Sequence, residues 1–171
     1  MRNRRDRRRG NSSVVHVTNR TLYGLPFLCR LFMELILLMV MARGQRLYPI
    51  HISHFVWMGN HFHFILTGRA SSISPFMGYV QGEVAKYVKL LFPKRFQSCV
   101  WPERFHEQQL YTAHDVLQKI AYLYSNPARA DLVHSIVEYP GSSSWKMFVT
   151  GTKTREVGHV RLGAFVAITQ R

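Results

Sequence analysis

Four residues of this chain have types and spacings suited to chemistry. His61 and His63 stand at i and i+2 in the run Asn60-His61-Phe62-His63. On a β-strand such residues point to one face, so two imidazoles lie side by side while Phe62 and Phe64 face the other way. Two convergent imidazoles suit a divalent cation. The same pattern fits two polar residues on a half-exposed strand, and nine histidines in the chain make chance proximity easy. Tyr122 and Asn126 stand at i and i+4, on one face of a helix. A phenol and an amide oxygen there could meet the same metal or the same phosphate. They also fit an ordinary amphipathic helix whose last residue precedes Pro127.

The elements that must position these residues can be read from periodicity. Residues 14–21 alternate and are β-branched, which predicts a strand. Pro26 opens a helix whose apolar body runs to about Ala42, with Gly44 as the stop signal. Residues 49–57 read as a second strand and 61–67 as a third, joined by a tight turn at Met58, Gly59 and Asn60. A Ser-rich loop over 71–75 leads to a helix from Pro75 to about Phe92, which Pro93 ends. Residues 100–110 form a loop and a fourth strand. Thr112 is an N-cap with Asp115 in the capping-box position. The helix it starts is expected to end near Ser125, because Pro127 disfavours helical geometry at Asn126. From Tyr139 the pattern weakens, and residues 141–144 read as a loop.

The order β-α-β-β-α-β-α predicts an α+β, ferredoxin-like βαββαβ sandwich: a four-stranded antiparallel sheet with helices on one face. The other face is left open for a site. Residues 1–13 read as a disordered basic arm, 14–146 as the domain and 147–171 as a loose tail.

Composition fits one domain. The chain has 171 residues, 47% of them hydrophobic, enough for a core. Lys and Arg total 23 against 9 Asp and Glu, a formal charge of +14, and residues 1–10 alone hold six Arg. Such an excess predicts a polyanionic partner, either nucleic acid or an anionic membrane surface. Two cysteines without CxxC spacing exclude a disulfide scaffold and point to a reducing, cytoplasmic compartment. The apolar stretch 25–41 is interrupted by Arg30 and Glu34, so it reads as an amphipathic helix and not as a membrane span.

Taken together the motifs resemble the REP-associated tyrosine transposases of the HUH single-tyrosine superfamily. The matching stretches are 15–20 (VHVTNR), 57–66 (WMGNHFHFIL), 100–107 (VWPERFHE), 120–130 (IAYLYSNPARA) and the segment from Tyr139-Pro140 to Ser144-Trp145. The resemblance covers roughly residues 14–146. Gly59 departs from the proline usual in the hairpin, and 97–101 from the usual Gly-x-x-Trp approach.

The resemblance implies metal-dependent cleavage and rejoining of single-stranded or hairpin DNA, through a 5′-phosphotyrosine intermediate. It implies Tyr122 as nucleophile and His61, His63 and Asn126 as ligands of Mg²⁺ or Mn²⁺. Tyr124, about 200° further round the helix, should not share the site. Arg20, Lys86, Lys89, Arg104 and Arg129 are candidate phosphate contacts, and Trp101 and Phe105 candidate base-stacking residues. No membrane partner is expected, and a monomer is expected before a dimer. The alternative is a non-catalytic, domesticated nucleic-acid-binding protein of the same fold. A histidine-rich metal protein serving a membrane surface would leave the Tyr122/Asn126 spacing unexplained.

Overall fold

The computed structural model describes residues 12–22, 31–94 and 98–152. The expected basic arm therefore lies outside the described residues, except for Ser12 and Ser13, which begin the first strand. Pro26, the expected start of the first helix, also lies outside them; of the expected tail 147–171, residues 147–150 are helical and those from 153 on lie outside the described residues.

The elements run β1 (Ser12–Arg20), α1 (Leu31–Leu47), β2 (Ile50–Trp57), β3 (His61–Arg69), α2 (Ala70–Leu91), β4 (His106–Leu110), α3 (Ala113–Arg129), a short 3₁₀ turn (Ile136–Glu138) and α4 (Trp145–Thr150). The strands form one sheet in the order β2-β3-β1-β4, with every neighbour antiparallel. This is the expected α+β, ferredoxin-like arrangement. Among the described residues no helix is long and apolar enough to cross a membrane.

Strand alternation sorts the core. Val15 and Val17 of β1, Trp57 of β2 and Phe62, Phe64 and Leu66 of β3 are buried with α1 and α2 on one face. Aromatic packing dominates there: the Trp57 ring centroid lies 5.0 Å from that of Phe62 and 5.3 Å from that of Phe64. The opposite face carries a second cluster, in which Val56 and Ile65 of the sheet pack with Leu110, Leu123, Tyr124 and Tyr139. So α3 lies across part of the face expected to be open, and a cleft stays open beside it near His61.

Three local expectations give way to tertiary packing. Gly44 does not stop α1, which runs on to Leu47. Its bare Cα instead admits α2: a Cβ there would sit 2.8 Å from the Phe76 ring. The Ser-rich stretch is helical, because Ile73, Phe76, Met77 and Val80 have helical spacing and all are buried. Likewise α3 passes through Pro127 to Arg129. Ser125 Oγ and Asn126 Nδ2 both donate to the Tyr122 carbonyl, at 3.0 and 2.9 Å, in the turn that leads into the proline.

The N-terminus of α3 is as expected. Thr112 Oγ1 accepts from Asp115 N–H and the Asp115 carboxylate accepts from Thr112 N–H, completing a capping box. The far end of the second layer hangs on Ser144. Its Oγ accepts from Phe55 N–H at 2.8 Å and donates to the Phe55 carbonyl at 3.2 Å. Tyr124 O–H then donates to Ser144, and His54 Nδ1–H to Tyr124, each over 2.9 Å. Burial shifts both partners toward their neutral forms, lowering His54 and raising Tyr124.

These two anchors differ in burial, which orders their cost. Ser144→Ala strands the Phe55 N–H in a buried site and should cost about 1–3 kcal/mol. Thr112→Ala removes an exposed cap and should cost about 1 kcal/mol. Urea denaturation followed by circular dichroism should give the lower midpoint for Ser144→Ala. A wild-type midpoint for that variant would show that Ser144 does not anchor the layer.

Candidate functional site

The antiparallel register builds the site. Thr18 pairs with His63 and Arg20 with His61 across β1 and β3. Period-two alternation then puts His16, Thr18, Arg20, His61 and His63 on the face that α3 crosses. Thr18 also pairs with His106 of β4, which brings that imidazole to the same face.

A cleft of about 570 Å³ opens there, lined by Thr18, Arg20, His61, His63, Arg104, His106, Tyr122, Asn126 and Arg129 among others. His61, His63, Tyr122 and Asn126, singled out by spacing, thus converge from a strand and a helix far apart in sequence. A cavity of similar size between α1, β2 and α4 holds none of these four.

The two histidines are set differently. His61 is half-buried, and its Nδ1–H donates to Asn60 Oδ1 at 2.7 Å, which leaves Nε2 with its lone pair. His63 is buried, and its Nδ1 lies 3.0 Å from Nε2 of His16. Its own Nε2 is buried with no hydrogen-bond partner among the described residues. The two rings meet edge to face, with centroids 5.0 Å apart. All three imidazoles are held neutral. Burial is the main cause, bringing His63 to about 3 and His16 to about 4, with the Lys119 ammonium adding to both. Burial, then the Arg20 guanidinium, lowers His61.

Tyr122 is 39% exposed while the next residue, Leu123, is fully buried, so the rotation of α3 is fixed by its apolar side. The Tyr122 ring stands edge-on to His63, with centroids 5.7 Å apart. Lys119 Nζ lies 5.2 Å and the Arg129 guanidinium 5.6 Å from its centroid. Tyr124 faces away, in contact with His54 and Ser144.

The candidate DNA contacts divide. Arg20, Arg104 and Arg129 line the cleft. The other four do not meet it. Lys86 and Lys89 lie on α2, whose buried side packs on the sheet face opposite His63. There Lys86 is ion-paired with Glu83, and Lys89 donates to the Ser98 carbonyl. Trp101 packs on Phe62 and donates to the Gln81 carbonyl at 2.9 Å, while Phe105 is buried in the core. These two aromatics are spent on packing, which a sequence window cannot separate from base stacking.

Sequence reasoning gave no role to His16, His106 or Lys119. His16 and His106 sit on strands whose facing depends on register, and a lone histidine in a strand carries no signal of its own. Lys119 is three residues before Tyr122, a spacing that puts the two on one helix side.

Among the described residues no group of three or more His, Cys, Asp or Glu side chains is gathered to hold a metal ion. The cleft offers a different donor set: His61, His63 and the amide of Asn126. That set fits a divalent cation. Both imidazoles are neutral, His63 Nε2 is unpartnered, and the three donors leave positions for water or phosphate oxygens.

No protein-family model matches the chain, and no curated protein sequence does. Among solved structures, a REP-associated tyrosine transposase bound to a REP hairpin is similar, with a TM-score of 0.68 and 16% identity over 88% of this chain and 87% of that one. A proposed transposase from Deinococcus radiodurans R1 has a TM-score of 0.49 and 15% identity over 70% of this chain and 94% of that one. With the first of these, at a TM-score of 0.68, the chain shares its overall architecture: it has the fold of the hairpin-bound REP-associated tyrosine transposase.

Proposed function

We propose that the protein is a metal-dependent DNA strand transferase that cuts and rejoins single-stranded DNA through Tyr122. The observation that carries this reading is the cleft itself. It joins one exposed tyrosine, two neutral imidazoles and an amide with three arginines, Arg20, Arg104 and Arg129. The fold shared with a hairpin-bound transposase supports the same reading. A hairpin or single strand is the expected partner, because a duplex would hinder access to the scissile phosphate.

In this reading His61, His63 and Asn126 hold Mg²⁺ or Mn²⁺. A bound divalent cation would supply positive charge to phosphate oxygens that otherwise repel a nucleophile. The arginines draw in the DNA backbone and hold it along the cleft. The Tyr122 oxygen attacks phosphorus in line; its bond to phosphorus forms as the bond to the 3′-oxygen breaks. The phenol proton is lost and the 3′-oxygen gains one, leaving a 5′-phosphotyrosine and a 3′-OH. The phosphate stays a diester, so another 3′-OH can reverse the step without ATP. Lys119 and Arg129, beside the tyrosine ring, add positive charge where the phosphate would lie.

Tyr122→Phe tests the chemistry directly. It keeps the ring on an exposed helix face, so DNA affinity should survive while the covalent adduct vanishes. Tyr124→Phe should lose some stability, because it breaks the link from His54 to Ser144, yet still form the adduct. Labelled single-stranded hairpin DNA with Mn²⁺ on a denaturing gel reads both. An adduct in Tyr122→Phe overturns the assignment; DNA binding without an adduct in the wild type favours the non-catalytic alternative.

The metal role is tested separately. His61→Ala and His63→Ala should each abolish Mn²⁺-dependent cleavage without changing the far-ultraviolet circular dichroism spectrum. Full activity with normal Mn²⁺ dependence in either variant would make that histidine structural.

Charge placement gives a third test. Arg129→Gln should weaken single-stranded DNA binding and reduce the slope of log affinity against log salt by about 1. Lys86→Gln, on the opposite layer, should leave both unchanged. Equal effects in the two variants would place the DNA outside the cleft.

A further inference from the structure

His16 is buried in the middle of β1 and is not among the residues that line the cleft. Its ring nonetheless meets His63 closely: Nε2 lies 3.0 Å from Nδ1 of His63, and the ring planes are only 8° apart with centroids separated by 5.2 Å. Near-parallel rings whose nitrogens approach this closely at that centroid separation suit an N–H···N hydrogen bond. One proton sits between the two nitrogens, and either ring can own it.

The two placements have different consequences for His63. If His16 donates, His63 Nδ1 accepts and its proton moves to Nε2. That would leave a buried N–H with no acceptor among the described residues, beside a cleft already lined by Arg20, Arg104 and Arg129. If His63 donates from Nδ1, its Nε2 is a bare lone pair. An acceptor next to cationic groups is electrostatically favourable, whereas a donor there is not. The second placement also keeps both rings neutral, with the His16 proton on its own Nδ1.

We propose that His16 is a positioning residue that holds His63 in the Nδ1–H tautomer and so presents the His63 Nε2 lone pair to the cleft. Asn60 does the same for His61 by accepting from its Nδ1–H at 2.7 Å. The pair of imidazoles is thus set by two unlike acceptors, a side-chain amide on the turn and a buried histidine on the next strand. Such partners fix ring orientation and tautomer in histidines that bind metals. The consequence for metal affinity rests on the reading of His63 as a ligand; the tautomer itself does not.

Long-range ¹H–¹⁵N correlation on the full chain, metal-free, reads the tautomer of His63. The wild type should show Nδ1–H. His16→Phe keeps a flat ring in the same space but offers no acceptor, so His63 should move toward Nε2–H. Its Mn²⁺ dissociation constant, from titration followed by electron paramagnetic resonance, should rise on the order of 10-fold. His16→Gln supplies a side-chain oxygen as acceptor and should restore the Nδ1–H tautomer and tighter Mn²⁺ binding. Nε2–H in the wild type would overturn the proposal, as would a His16→Phe variant with unchanged tautomer and Mn²⁺ affinity. If His16→Phe fails to fold, the wild-type and His16→Gln tautomers still decide. A wild type that binds no Mn²⁺ would sink the metal-ligand reading, and the tautomer alone would then judge His16.

Discussion

The pairing of β1 with β3 is the constraint on which the rest of the molecule depends. Its register sets Thr18 opposite His63 and Arg20 opposite His61. Because strand side chains alternate with a period of two, the same pairing sends Phe62 and Phe64 into the layer under α1 and α2. A slip of one residue would exchange these sets, burying imidazoles among the aromatics and exposing two phenylalanines. The large apolar area of Trp57, Phe62 and Phe64, all fully buried, therefore fixes the histidines as firmly as it fixes the core. The candidate site on one face is held in place by packing on the other.

The second layer completes the cleft through the rotation of α3. Leu123 and Tyr124 turn toward the sheet, and the link from His54 through Tyr124 to Ser144 ties α3 to β2 and to the segment before α4. With those side chains committed, Tyr122 and Asn126 are left to line the cleft, the Tyr122 ring edge-on to His63. Tyr139 adds a further tie, its hydroxyl donating to the Trp57 carbonyl at 2.8 Å. One tyrosine of the 122–124 pair is thus a structural strut and the other an exposed phenol, although only one residue separates them.

Charge is distributed unevenly over the two layers. The cleft gathers Arg20, Arg104 and Arg129 around neutral imidazoles. Burial keeps those imidazoles uncharged, so the positive potential comes from the arginines and Lys119 while ring lone pairs stay available. On α2, by contrast, Lys86 and Lys89 have local partners in Glu83 and the Ser98 carbonyl. The net charge of +14 raises the expectation of a polyanionic partner, but it says nothing about which arginines share a surface.

Local pattern alone determined much of this protein: the alternation of the strands, the helical spacing of Tyr122 and Asn126, the capping box at Thr112 and Asp115, and the α+β order. Each is a relation between residues a few positions apart, which backbone geometry fixes without help from the rest of the chain. Where short-range signals competed with burial, burial won. Gly44 became a contact for Phe76, the serines before Pro75 joined α2 because Ile73 and Phe76 had to be buried, and α3 continued through Pro127. Trp101 and Phe105 were legible as aromatics but not as core, since nothing local says what covers a ring. His16 carried no signal at all. Its importance comes from lying 3.0 Å from His63 across a strand pair 47 residues apart in sequence, and only the tertiary register decides that contact.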